Sequence, residues 1–437
     1  MNRIYLDHSA TTPVDVRVAE AMLPYFSEIY GNPSSIHRFG QETRAAVEKS
    51  RNRIAGLLNA RESELYFLSG GTEADNLAIQ GAARALSSRG KHIITAKTEH
   101  KAVLQSCKAL EKEGFTVTYL NVDEFGRVDP ERVAAAIRND TILITVMHAN
   151  NEVGTINLVT EIGRIAKENK ILFHTDAVQS FGKIRLDVDE LNADLVSISA
   201  HKIYGPKGIG ALYIRRGTGI NKLIHGGSHE RNRRAGTENV PGIVGFARAA
   251  ELASQNLESN TEYMTNLRNY FQEQLINRIN GVTVNGHPEQ RLCNNLNVSF
   301  RDCEAEALLL SLDMAGVAAS AGSACSSGSL ETSHVLRAMG LPKNRIGSAI
   351  RFSLGPTNTR EEIDAVVGMC CSDLRKFLHA QIFTLQSQFL VFFLIGSYKI
   401  LQGLITHLNN FRQFLGIYPL FHVVNNERAN IFVLQKL

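Results

Sequence analysis

The sequence predicts an α/β protein, with a large domain on a mostly parallel sheet and a smaller α+β domain after it. Three observations carry that prediction. Residues 66 to 215 alternate short β-branched runs with longer amphipathic stretches. A long polar helical stretch, roughly Gly245 to Ile279, then leads out of this region. Beyond it, two isolated strand patterns stand among helix patterns. Strands separated by helices imply βαβ units, hence a parallel sheet covered on both faces.

The strand patterns of the large domain are 65–68, 91–96, 116–120, 141–147, 171–175, 195–200 and 211–214. Helix patterns lie at 73–88, 103–113 and 130–138. The last opens on Asp129-Pro130-Glu131, an N-cap followed by proline at the first helical position. In the smaller domain, 295–300 and 349–353 read as strands, and 304–312 and 361–374 as helices. The expected division is 15–258 for the large domain, 1–14 plus 259–376 for the small one, and 377–437 for a distinct tail. From Leu374 onward there is one acidic residue, Glu427, against six basic ones. The run Phe389–Ile395 (FLVFFLI) is too short for a spanning helix, so no integral membrane protein is expected.

Composition narrows the function classes. Lys plus Arg number 47 and Asp plus Glu 43, an excess too small for a nucleic-acid surface. The six cysteines, at 107, 293, 303, 325, 370 and 371, form no CxxC and no zinc spacing. Such sparse use fits free thiols in a reducing compartment. MNRIYLDHSATTP has no apolar core, so no secretory signal is expected; Asp7 and Asp15 come early and no Arg-rich amphipathic stretch does, so no mitochondrial presequence is expected either, and the expected location is cytoplasmic.

Chemistry is expected beyond the carboxyl ends of the strands. Lys202 follows the strand 195–200 and precedes the Gly-rich 204–210. A lysine among small residues there can form a Schiff base, whereas an isolated one would be a solvated surface group. Asp176 directly follows another strand, where it suits the ring nitrogen of a pyridoxal cofactor or, equally, a helix N-cap. Ser69-Gly70-Gly71-Thr72-Glu73 opens a helix and can cradle phosphate, or be a plain turn. His100 follows a third strand, and Asn151 and Gln179 add strand-end amides. Thr72, His100, Asp176 and Lys202 thus come from four strand ends to one sheet edge, a coincidence stronger than any member of it. A second constellation is 320–329, ten small residues around Cys325 that read as an exposed loop suited to a nucleophile. Arg351, on the strand 349–353, is a candidate bidentate clamp for a carboxylate, or half of a structural ion pair.

Ten stretches carry a family resemblance: 5–13, 31–40, 69–81, 91–103, 147–154, 174–180, 199–213, 226–240, 320–340 and 350–355. On these the chain resembles the cysteine desulfurases of the NifS/IscS type, within the class V aminotransferases, over residues 1 to about 376. The resemblance implies an aspartate aminotransferase-like fold, a homodimer and pyridoxal 5'-phosphate carried covalently by Lys202. It implies that Asp176 pairs with the ring nitrogen, Gln179 contacts the ring hydroxyl and His100, a catalytic residue, stacks on the ring. Gly71, Thr72, Ser199 and His201 would bind the phosphate, joined by Thr237 from the other subunit. Asn151 and Arg351 would bind the carboxylate of L-cysteine. Cys325 would take the sulfur as a persulfide and pass it to an iron–sulfur scaffold or another sulfur acceptor. The resemblance also offers Cys325 as a transient iron–sulfur cluster ligand. An aminotransferase would need Lys202 and Asp176 but no cysteine loop, and selenocysteine lyase would share most of the site. A non-catalytic scaffold would not need every catalytic position filled.

Overall fold

The alternation of 66–215 becomes a seven-stranded sheet in the computed structural model, which describes residues 3–321, 332–374, 421–424 and 431–434. Residues 1–371 form one compact unit and 372–437 another. In the first unit the strands are β1 (Ile4–Tyr5), β2 (Leu65–Leu68), β3 (His92–Ala96), β4 (Thr116–Leu120), β5 (Thr141–Thr145) and β6 (Leu172–Asp176). They continue with β7 (Leu195–Ser199), β8 (Gly210–Ile214), β9 (Val282–Asn285), β10 (Asn295–Phe300), β11 (Val317–Ala318) and β12 (Ala349–Ser353).

The large sheet has the order β2-β8-β7-β6-β5-β3-β4. Strands β3 to β7 pair in parallel, and only β8 runs against its neighbours. From β3 the chain steps outward to β4, then returns to the far side of β3 with β5. Such a reversal opens a crevice at the carboxyl ends.

Period-two alternation sorts the two faces. Ile144, Phe173, Val196 and Ile198 pack on one side with Ile54, Ile162 and Phe246, from the helices Arg38–Leu57, Val159–Glu168 and Val240–Gln255. Each such side chain contributes roughly 1.5–3 kcal/mol when fully buried. Ile93, Leu143 and Leu195 face the other side, under Leu77, Val103 and Leu110. On this second side the strand ends turn polar: Thr95, Thr145, His174, Asp176, Ser197 and Ser199 are all buried. Buried polar groups at one edge make a site rather than a core.

Two predicted elements differ from the structure. The helix expected over 73–88 consists of Gly71–Asn76, a π turn Leu77–Gly81 and Ala82–Ala85. The loop after β8 packs on that turn so closely that a Cβ at Gly81 would meet the Asn221 carbonyl at 2.7 Å. The single polar helix expected over 245–279 is two helices, Val240–Gln255 and Leu257–Arg278. Between them Asn256 turns its amide back onto the Leu252 carbonyl at 2.8 Å, a side-chain bond that competes with helix continuation.

A second sheet, β12-β10-β9, is antiparallel. The chain start joins it: β1 pairs in parallel with β11, Ser353 N donates to the Leu6 carbonyl at 2.7 Å and Ser9 N to Ser353 Oγ at 2.8 Å. Residues 9–12 are thereby carried to the large sheet's edge, where Thr12 N donates to the His201 carbonyl at 3.0 Å. In the second unit, β13 (Phe421–Val424) and β14 (Ile431–Leu434) pair antiparallel, and the run 389–395 lies outside the described residues. Among the described residues no helix is long and apolar enough to cross a membrane.

Candidate active site

A cavity of about 410 Å³ opens at the carboxyl ends of the large sheet. Gly71, Thr72, His100, Asn151, Asp176, Gln179, Ser199, His201, Lys202 and Arg351 all line it, so the strand ends converge as the sequence predicts.

Lys202 comes from the short turn after β7. Its Nζ donates to the carbonyls of Ser9 at 2.5 Å and Ala10 at 2.7 Å, both from the N-terminal segment. Asp176 ends β6 with its carboxylate in the interior, accepting the Val178 N–H at 2.9 Å. Burial raises its pKa, while His100, the Val178 amide and Lys202 act in the opposite sense. His100 caps the helix Lys101–Lys112, and its Nδ1 accepts the Ala102 N–H at 3.1 Å. That bond places the neutral ring's proton on Nε2.

The remaining groups suit an anionic aromatic ligand. A Cβ on Gly71 would meet Val178 at 2.7 Å, so only glycine lets the helix start come this close to the strand-end loop. Gln179 Nε2 donates to the Ser9 carbonyl at 2.9 Å, which leaves Oε1 buried without a partner. Ser199 Oγ is likewise buried and unpartnered. Burial, then the charges of Lys202, Lys207 and Lys183, lowers His201 to about 4, so its ring is neutral. Orphaned polar atoms at a helix start, beside a lysine and a buried carboxylate, fit pyridoxal 5'-phosphate.

Arg351, on β12, is not the open clamp that the sequence suggests. Its Nη2 pairs with Asp7 at 2.8 Å and its Nη1 donates to the Asn151 carbonyl at 2.9 Å. Its Nε is buried without a partner, an N–H donor still open to an acceptor. Thr237 does not line the cavity; it stands in a separate cleft with Arg234 and Gly236. Asn150, beside Asn151, is structural: its Oδ1 accepts the N–H groups of Glu152 and Val153.

Cys325 lies within 322–331, outside the described residues. Both flanks of that stretch are tied to the cavity walls. Ser320 and Arg351 exchange backbone bonds at 3.1 and 2.6 Å. Ser333 donates to Glu152, and His334 Nε2 to the carbonyl of Glu99, the residue before His100.

Sequence reasoning missed Ser9, Ala10, Asp75 and Lys207, which also line the cavity. The first two reach it through two-residue β1, too short to show a period. Asp75 carried a weak signal, an acid one turn after a glycine-rich helix start.

A family model for class-V aminotransferases matches residues 4–366. The cysteine desulfurase IscS of Dictyoglomus turgidum is 56% identical over 361 residues, 83% of this chain and 92% of that protein. The cysteine desulfurase IscS of Methanosarcina thermophila is 54% identical over 364 residues, 83% and 90% of the two chains. Among solved structures, a NifS-like protein superposes with a TM-score of 0.81 at 42% identity, covering 86% of this chain and all of its own. A NifS-like protein from Rickettsia africae gives 0.77 at 31% identity, over 86% of this chain and 100% of that one.

Proposed function

This chain belongs to the class-V aminotransferase family as a cysteine desulfurase, and we propose that its strand-end cavity holds pyridoxal 5'-phosphate on Lys202 and there removes sulfur from L-cysteine. The observation that carries this reading is the convergence of Lys202, Asp176 and His100 with the unpartnered Gln179 Oε1 and Ser199 Oγ around one cavity. Enzymes of this family work with pyridoxal phosphate, whose protonated ring, when bound, is an electron sink for charge left at the substrate Cα.

Each residue then has a defined task. Gly71, Thr72, Ser199 and His201 hold the phosphate, with Thr237 given by a second copy in a homodimer. Thr237's place outside this cavity, in a neighbouring cleft, supports that last assignment. Asp176 keeps the ring nitrogen protonated, and Gln179 Oε1 accepts from the ring hydroxyl. Arg351 Nε and Asn151 hold the substrate carboxylate. Lys202 Nζ, once substrate has taken its place, removes the Cα proton, with the Ser9 and Ala10 carbonyls orienting the amine. His100 holds a proton at Nε2 for exchange with the substrate. The thiolate of Cys325 attacks the substrate sulfur. A new S–S bond forms, the Cβ–S bond breaks with its electron pair passing to carbon, and protonation there completes alanine.

The Cys325 persulfide is then passed to an iron–sulfur scaffold or another sulfur acceptor in the cytoplasm. None of the thiols among the described residues lines the cavity, which supports Cys325 as the acceptor. The test is to mix purified protein with L-cysteine and a reductant and measure alanine and sulfide. Equal yields are expected, and Lys202→Ala should abolish both along with the covalently held cofactor. A Lys202→Ala protein that still turns over cysteine would overturn the assignment.

A further inference from the structure

Asp75 lies one turn into the helix that Gly71 and Thr72 open, and its carboxyl group lines the cavity at 1% exposure. Its surroundings are the polar ends of β5, β6 and β7. Ser197, which stands opposite Asp176 in the β6–β7 register, is the hydroxyl neighbour of the Asp75 carboxyl group. The Ser197 hydroxyl is also 3.0 Å from His174 Nε2, and His174 Nδ1 is 2.8 Å from Thr145 Oγ1. Asp75 Oδ1 stands 3.6 Å from the same His174 Nε2 and has no hydrogen-bond partner.

Three buried carboxyl groups therefore lie within reach of one another's charge: Asp75, Asp176 and Glu99. Their compensation is unequal. Asp176 has the Val178 N–H, His100 and Lys202. Glu99 receives the Met147 N–H on both oxygens, at 2.9 and 3.1 Å. Asp75 faces His174, which complete burial keeps neutral, with a pKa lowered to about 3. Burial first, then the charge of Asp176, lifts Asp75 well above the usual carboxylate range. Like charges this close in a dry interior are not both kept.

We propose that Asp75 is a positioning residue, a neutral carboxylic acid that braces Ser197 and His174 and leaves Asp176 as the anion available to the ring nitrogen. The proposal rests on the reading of Asp176 as that partner. As an acid, Asp75 carries an O–H, for which Ser197 Oγ and His174 Nε2 are the neighbouring acceptors. As a carboxylate it would hold a charge that no cation on the helix, β5, β6 or β7 meets.

The test uses the full chain loaded with pyridoxal phosphate. Two readouts matter: the cofactor's dissociation constant, and the pH at which its absorption changes. Asp75→Asn exchanges one uncharged group for another of the same shape, so both should stay at wild-type values. Asp75→Ala leaves Ser197 and His174 without their brace and should weaken cofactor binding about tenfold. If that variant does not fold, Ser197→Ala removes the same contact and should give the same loss. An infrared difference between wild type and Asp75→Asn should show loss of a protonated-carboxyl band.

A pH midpoint moved by about one unit or more in Asp75→Asn would show that Asp75 is charged and overturn the proposal. Loss of a carboxylate band, or an unchanged dissociation constant in both Asp75→Ala and Ser197→Ala, would overturn it as well. Asp176→Asn is measured alongside and should weaken binding by itself. Unchanged binding in that variant would instead remove the reading of the site on which the proposal stands, and the proposal with it.

Discussion

Arg351 Nη2 lies 2.8 Å from Asp7 Oδ1, so the guanidinium that faces the cavity is held by the chain's own first segment. The pair fixes the arginine plane and leaves Nε unpartnered. If Nε and Asn151 hold the substrate carboxylate, Arg351→Ala should raise KM for L-cysteine by roughly 10–100-fold, the equivalent of about 1.5–3 kcal/mol for a hydrogen bond to a charged group. Cofactor content should not change. Steady-state kinetics on protein of measured cofactor content checks this, and a fall in kcat at constant KM would refute the assignment.

How much of this was legible in the sequence follows from the range of the interactions. The strand ends were readable because alternation is local: HTD at the end of β6, SIS in β7 and the glycines after Lys202 announce polar groups at an edge. The occupation of Arg351 by Asp7 was not, because it joins positions at opposite ends of the compact unit, and Asp7 is carried there by two-residue β1. The break at Asn256 was hidden for a different reason. No glycine or proline marks it, and an asparagine inside a polar helix reads as solvent-facing. Asp75 was hidden likewise, because helix acids are mostly exposed and only the folded sheet shows what lies beneath this one.

Cysteine chemistry should be confined to Cys325. Burial raises the thiol pKa of Cys107 and Cys293 above the ordinary value and that of Cys303 to about 11. A protonated, enclosed thiol is a poor nucleophile. Cys325→Ser should therefore retain cofactor and bind cysteine yet form no persulfide. Peptide mapping after a single turnover checks this, and label on Cys107, Cys293, Cys303, Cys370 or Cys371 would refute it.

Stability should fall in mild acid through the buried histidines. His148 is enclosed, its Nδ1 has no partner, and burial lowers its pKa to about 4. The unfolded chain takes up a proton near pH 6.5, whereas the folded one does so only near its own, lower value. Between these values the unfolded state binds more protons, so stability drops as pH falls, by about 1.4 kcal/mol per pH unit for one such group. Above about pH 6.5 the effect vanishes. His148→Gln should narrow the gap between the urea midpoints at about pH 7 and pH 5. An unchanged gap would mean that His148 is not a source of the acid sensitivity.

The tail should be dispensable for catalysis. Every described strand of both main sheets, and every described residue of the cavity, lies within residues 3–371. The helix that begins at residue 360 is described to 374, and the shift to an almost acid-free composition starts there. A segment such as FLVFFLI, left without a partner, is an aggregation hazard, which a solubility comparison would register. A chain ending at Lys376 should therefore keep its cofactor and its dimer, and turn over cysteine within about twofold of the full chain, as expected for a change that leaves every described residue of the cavity in place. Light scattering, cofactor absorbance and alanine release measure the three properties. Loss of cofactor or of the dimer would show that the tail belongs to the catalytic fold. Tight partition of the full chain into vesicles, with the shortened chain left in solution, would instead make the tail a membrane anchor.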